Sequence, residues 1–275
     1  MAGEAAQIGD SGRAAVYSAP HPSTRRLSKT MSLANDARFW DRSSRRYAKS
    51  AIADEAGYAR TLERTRALFK PDARVLELGC GTGTTALRLA GHVRAYLATD
   101  IADGMITIAE EKHAAAPVPG LAFRVATAET LAPDEGPFDA VLGFNYLHLV
   151  RDLPGTLRRI HALLAPRGLF ISKTPCLGDM TPLLRLALLP AMRAIGLAPH
   201  AGVFRAEELG AHLQAGGFEV VASGNHATEG GGERPLRRRV AGLSRAGRRV
   251  RAPVGQRARN GAGPRPLHGS RRRRQ

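Results

Sequence analysis

Along the chain, short apolar blocks alternate with longer stretches whose apolar residues recur every three to four positions. The blocks at 75–78, 95–99, 121–125, 140–144, 169–172 and 218–222 predict strands. Between and beside them, 84–90, 102–116, 153–164 and 206–215 predict helices. In the third of these, Leu153, Leu157, Ile160 and Leu164 share one face. Two earlier stretches, 36–49 and 54–69, are also helical in period, and Pro71 stops the second. Strands alternating with helices predict an α/β fold, a doubly wound and mostly parallel sheet covered on both faces.

Three regions stand outside this rhythm, which leaves one domain at 36–228. Residues 1–35 read as a flexible leader without a signal-peptide core, and Met31 offers a second start. Residues 177–199 are apolar but carry Pro182, Pro190, Arg185 and Arg193, a poor membrane span. Residues 229–275 are rich in Arg, Gly, Ala and Pro and show no period, so they read as a disordered tail.

Charge changes little in this picture. The net charge is +17, but fifteen arginines against two acids put +13 of it after Thr228 and leave +4 for the rest. The basic signal belongs to the tail. An RNA-binding or RNA-modifying protein that uses this tail is the alternative function, although the tail has no aromatic residue on which a base could stack. Cys80 and Cys176 are the only cysteines. They supply neither a disulfide framework nor metal spacing, so no metal is expected and a cytoplasmic setting is.

The chemistry concentrates at "RVLELGCGTGTTALRLA", 74–90, a strand, a glycine loop and a helix. A Walker loop would need a lysine after its last glycine, and none follows. Gly79, Gly81 and Gly83 are spaced GxGxG, whereas a dinucleotide loop wants its third glycine at 84, which is Thr84. Glu77, two residues before the loop, would repel a pyrophosphate and attract a cation. Asp100 ends the second strand at the spacing at which an acid takes ribose hydroxyls. S-adenosylmethionine, with an ammonium, a sulfonium and a ribose, suits this set.

"VLELGCGTG", "ATDIADGMITIA", "FDAVLGFNYLHLV" and "HALLAPRGLFI" resemble successive motifs of the class I S-adenosylmethionine-dependent methyltransferases, especially the methyltransferase type 11 small-molecule group. The resemblance implies a Rossmann-like sheet and a site at the carboxyl ends of its strands. It implies that Gly79, Cys80, Gly81 and Gly83 let the backbone approach the cofactor. Glu77 would hold the ammonium, Asp100 the ribose, and Ile101 and Met105 the adenine. Where relatives carry Asp-Ala and an acid, this chain has Thr127-Ala128-Glu129, with the Ala128 N–H left to serve adenine. Phe144 and Asn145 would lie near the transferred methyl, Tyr47 would cover the cofactor from an N-terminal helix, and Trp40 is either a second lid residue or a core anchor.

Methyl transfer is an in-line displacement, and a base is needed only where the acceptor loses a proton. His148, just past the fourth strand, is the candidate base, ahead of His161, His200 and His226. The insert at 177–199 is expected to form a substrate lid walled by Leu183, Leu184, Leu186, Leu188, Leu189, Met192, Ile195 and Leu197. That favours a small hydrophobic or amphipathic acceptor over nucleic acid and is compatible with transient contact with a membrane surface. Similar motifs in the ubiquinone and menaquinone methyltransferases point to a prenylated or aromatic acceptor. Relatives end with a seventh strand inserted beside the fifth. No alternating apolar run follows Thr228 here, so the last strand is expected to be missing, and the tail's composition points to a shifted reading frame.

Overall fold

The computed structural model describes residues 22–225 and 239–246, apart from 180–182, 184, 185, 188 and 195–197. It opens with helices α1 (Pro22–Ala48) and α2 (Glu55–Arg66). Strands and helices then alternate: β1 (Arg74–Leu78), α3 (Thr84–Leu89), β2 (Ala95–Asp100), α4 (Asp103–Ala115) and β3 (Leu121–Val125). The second half runs β4 (Phe138–Phe144), α5 (Leu153–Leu163), β5 (Leu164–Pro175), α6 (Leu189–Ala194), α7 (Ala206–Ala215), β6 (Phe218–Asn225) and β7 (Arg239–Ala246).

One sheet of order β3-β2-β1-β4-β5-β7-β6 results. β1 to β5 pair in parallel, and β7 is antiparallel to both β5 and β6. The alternation along β1 shows why both faces are covered. Leu76 and Leu78 belong to a core under α5 and α7 with Leu157, Ile160, Leu209 and Leu213. Val75 belongs to a second core with Ala86, Leu89, Ile106 and Ile171, on the opposite face. α5 starts where Asp152 accepts a hydrogen bond from the Gly155 N–H at 3.0 Å, and it buries Leu153, Leu157 and Ile160 as its period predicts. Among the described residues no helix is long and apolar enough to cross a membrane.

Two expectations fail here. The leader does not extend to residue 35, because α1 begins at Pro22, a residue suited to the first helical turn. Residues 1–21 lie outside the described residues. The last strand is present: Arg239–Ala246 fills the slot between β5 and β6, with Leu169 opposite Arg245 and Phe218 opposite Ala246. A strand with a neighbour on each side pairs its backbone along both edges, so the ladder tolerates a sequence without strict apolar alternation. The missing strand therefore no longer argues for a shifted frame. The rest of the tail, 229–238 and 247–275, lies outside the described residues.

Candidate functional site

The carboxyl ends of β1, β2 and β4 open into a cleft of about 500 Å³, within the range of roughly 300–1,000 Å³ usual for small-molecule sites. α1 closes one side through Leu33, Asp36, Trp40 and Tyr47. Trp40 meets Phe39 edge-on at 5.2 Å and Tyr47 at 6.2 Å. It therefore belongs to the wall of the cleft, and the core-anchor alternative falls away. α1 is fastened at two points. The Asp41 carboxylate accepts from the Gly104 N–H at the start of α4, at 2.9 Å. Asp36 takes both arms of Arg151, at 2.7 and 2.8 Å, and both residues of this pair line the cleft.

The glycine loop divides its labour. Gly79 and Gly81 line the cleft. A Cβ on Gly79 would lie 2.8 Å from the Tyr146 ring, so only glycine lets that ring lie across the loop. Gly83, with φ +75°, starts α3, and a Cβ there would lie 2.7 Å from Ala109 and 2.9 Å from Phe123. Its role is helix packing, not approach to a ligand. Cys80 is buried behind the loop, donates its N–H to the Thr99 carbonyl at 2.9 Å and does not line the cleft. Burial first, then Glu77 and Asp100, push its thiol well up, away from the reactive thiolate.

Glu77 also sits behind the loop. It is 2% exposed and accepts from the Tyr96 hydroxyl at 2.8 Å. Burial pushes its carboxyl from 4.5 up to about 7, with the Tyr96 hydrogen bond opposing and Asp100 adding. Asp100 lines the cleft itself. Its two oxygens accept from the Gly81 N–H at 2.9 Å and the Ala102 N–H at 3.0 Å. These bonds offset only part of the upward push of burial. The carboxylate that pre-shapes the loop thus still presents lone pairs to a hydroxyl.

Ile101, Met105, Thr127, Glu129, Phe144, Asn145 and His148 all line the cleft, as does Tyr47, whose ring lies over Gly81. Ala128 does not line it; it is fully buried in the core under α5. Tyr146 was not foreseen. It follows Asn145, whose φ of +53° turns the chain at the end of β4, and burial and Glu129 hold its phenol well above the usual range. Glu129 accepts from the Thr156 hydroxyl at 2.5 Å.

Among the described residues, two buried polar side-chain atoms have no partner, and both belong to cleft residues. They are Thr127 Oγ1 and His148 Nδ1. Burial, then neighbouring His200, lower His148 from 6.5 to about 4, so it is neutral at physiological pH with a free ring nitrogen. His200 lines the same cleft, His161 instead packs edge-on against Phe218 at 5.4 Å, and His226 lies outside the described residues.

The lid is only partly as expected. The ends of the insert, Leu177, Ala198 and Pro199, line the cleft. Leu183 and Leu186 are 76% and 69% exposed and do not line it. Leu184, Leu188, Ile195 and Leu197 lie outside the described residues.

The methyltransferase-domain family matches residues 46–223. A protein of Danio rerio named arginine-hydroxylase NDUFAF5, mitochondrial, is 31% identical over 199 residues, which is 66% of this chain and 60% of that protein. A ubiquinone biosynthesis O-methyltransferase of Methylocella silvestris is 33% identical over 126 residues, 46% of this chain and 48% of that protein. The chain spans between 42% and 60% of the length of these and similar curated relatives. Among solved structures, an S-adenosylmethionine-dependent methyltransferase of Mesorhizobium loti superposes with a TM-score of 0.56 at 21% identity, over 69% of this chain and 98% of that one. The magnesium protoporphyrin IX methyltransferase of Synechocystis PCC 6803, with bound S-adenosylhomocysteine, gives 0.55 at 17%, over 81% and 99%. These two share the fold.

Proposed function

Since the chain belongs to the methyltransferase-domain family and carries a class I S-adenosylmethionine-dependent methyltransferase domain, we propose that the whole protein transfers the cofactor's methyl group to a small, largely apolar acceptor. The observation that carries this reading is the mixed polar and apolar lining of the cleft. Gly81, Asp100, Asn145 and Thr127, whose buried hydroxyl has no partner among the described residues, line it together with Trp40, Leu149, Pro175, Leu177, Pro199 and neutral His148. The polar lining residues fit the cofactor. Asp100 would accept from ribose hydroxyls, Thr127 Oγ1 from an amino group of the base, and buried Glu77 would favour a cation near Gly79.

Bound there, S-adenosylmethionine supplies an electrophilic methyl group with a good leaving group. The residues of this chain contribute alignment and exclusion of water. Trp40 and Tyr47 cover the cleft from α1, and the ends of the insert form its rim. His148 would accept a proton from an acceptor hydroxyl through a ring nitrogen, and it stays deprotonated down to about pH 4. A cytoplasmic setting is supported by two buried, unpaired thiols.

A second reading, action on an arginine side chain, comes from the relatives named arginine-hydroxylase and is favoured by the acids Asp36, Glu129 and Asp152 around the cleft. The test is incubation of the protein and S-adenosylmethionine with metabolite and peptide pools, read by mass spectrometry. The proposal expects apolar metabolites that gain a methyl group, and a loss of about 10²-fold or more in His148→Gln for a hydroxyl acceptor. With dioxygen and a reductant also supplied, a peptide arginine that gains oxygen would favour the second reading, and cofactor binding with no product at all would sink both.

A further inference from the structure

We propose that the outer face of α1 is a docking surface for an acidic helix of a partner protein. Arg38, Arg42 and Arg45 are exposed and stand four and three residues apart, so they form one stripe of about 10 Å along the helix axis. Exposed Arg46 flanks this stripe, and exposed Lys49 continues it in the turn after Ala48. Two acids lie between Ser32 and Lys49, and both are engaged elsewhere, Asp36 with Arg151 and Asp41 with the Gly104 N–H. None of the five cations forms an ion pair among the described residues. At about 100° per residue, Leu33, Asp36, Trp40 and Tyr47 of the cleft wall fall on the opposite side of the helix. The face therefore carries like charges that repel one another until an acidic partner covers them.

Charge and pitch choose the occupant. The cations recur once per turn, about every 5.4 Å. An acidic helix laid alongside repeats its carboxylates with the same pitch, so each arginine meets one, and the guanidinium fork suits a carboxylate. A bilayer is a poorer match, because an interfacial helix needs an apolar face to bury, and Leu33 and Trp40 line the cleft instead. RNA would be held through its phosphates alone. Tyr47, the one exposed aromatic residue between 32 and 49, lies over Gly81, so no ring on the stripe is left for a base. A protein seated here grips α1 from outside, whereas the cleft meets only its inner face. The docking therefore stands apart from the proposed methyl transfer.

The test is fluorescence anisotropy of the full chain with a labelled, alanine-rich helical peptide whose glutamates stand four, three and four residues apart. A second peptide carries the same glutamates spread around its helix. The striped peptide should bind more tightly than the spread one, and the difference should shrink at high salt. Arg42→Glu with Arg45→Glu should weaken binding of the striped peptide by about tenfold or more, since it removes two ion pairs and adds two repulsions. Melting should not change, because both side chains are exposed. If the variant does melt lower, Arg42→Gln with Arg45→Gln carries the same comparison with a loss of several-fold. Unchanged binding in the variant would show that the arginine-rich tail takes the peptide and would overturn the proposal. Equal binding of the two peptides, or no binding by the native chain, would overturn it as well. Polyuridylate RNA or phosphatidylglycerol vesicles that bind more tightly than the striped peptide, and lose that binding in the variant, would assign the face to nucleic acid or lipid instead.

Discussion

Thr127 Oγ1 is a buried acceptor without a partner, in a position where an unmet polar group costs about 1–3 kcal/mol. Thr127→Val keeps the shape and removes the oxygen. If the hydroxyl reads the base of the cofactor, this variant should melt at the same or a higher temperature and yet bind S-adenosylmethionine roughly 3- to 10-fold more weakly. Calorimetry alongside a melt checks both signs at once. Glu77 makes a different prediction. The folded protein holds its proton up to about pH 7, whereas the unfolded chain releases it near 4.5. The stability linked to this group is complete below pH 4.5 and disappears as pH rises towards 7. Glu77→Gln should abolish that part of the decline in denaturant titrations. A cationic ligand near Gly79 should also draw the proton off, so binding at pH 7 should release protons. Titration in two buffers of different ionisation enthalpy should show the release in the native protein and lose it in Glu77→Gln.

At the scale of elements, the site depends on how α1 is held. Its own composition gives it no strong apolar face, and it carries no acid in its first turn to help it start. It is held at Gly104 and at Arg151, which joins it to the segment after β4. The Asp36–Arg151 pair is bidentate but partly exposed, so its contribution is about 1 kcal/mol. Arg151→Ala should therefore leave global melting nearly unchanged, speed hydrogen exchange in α1 and weaken cofactor binding several-fold, more at low salt than at high. Equal exchange in α1 with and without the substitution would show that the pair does not close the cleft. The loop offers a contrast. Gly83→Ala strains a left-handed turn and collides with Ala109, so it should destabilise the α3–α4 packing before it touches any ligand.

For the whole molecule, the decisive element is β7. With Arg239–Ala246 between β5 and β6, the sheet is continuous to its edge. A chain ending at residue 228 should expose both flanking strands, melt lower and aggregate, whereas one ending at 247 should keep the melting temperature of the full chain. Light scattering during a thermal ramp distinguishes the two. Equal behaviour of both truncations would return the tail to the dispensable status that its composition suggests.

Periodicity in the sequence determined the parallel half of the fold, because apolar alternation and helical spacing are local and strong between 75 and 222. It also located Asp100, Thr127 and Phe144, since residues that end parallel strands must meet at one edge of the sheet. Three features were decided only by tertiary structure. The division of labour among the glycines depends on what packs against each, Tyr146 at Gly79 and Ala109 at Gly83. The placement of the Tyr146 ring in the cleft depends on the turn at Asn145, a left-handed residue that no pattern announces. The seventh strand depends on a ladder between distant partners, 169–175 with 239–245, and backbone pairing of that kind leaves little trace in side-chain pattern.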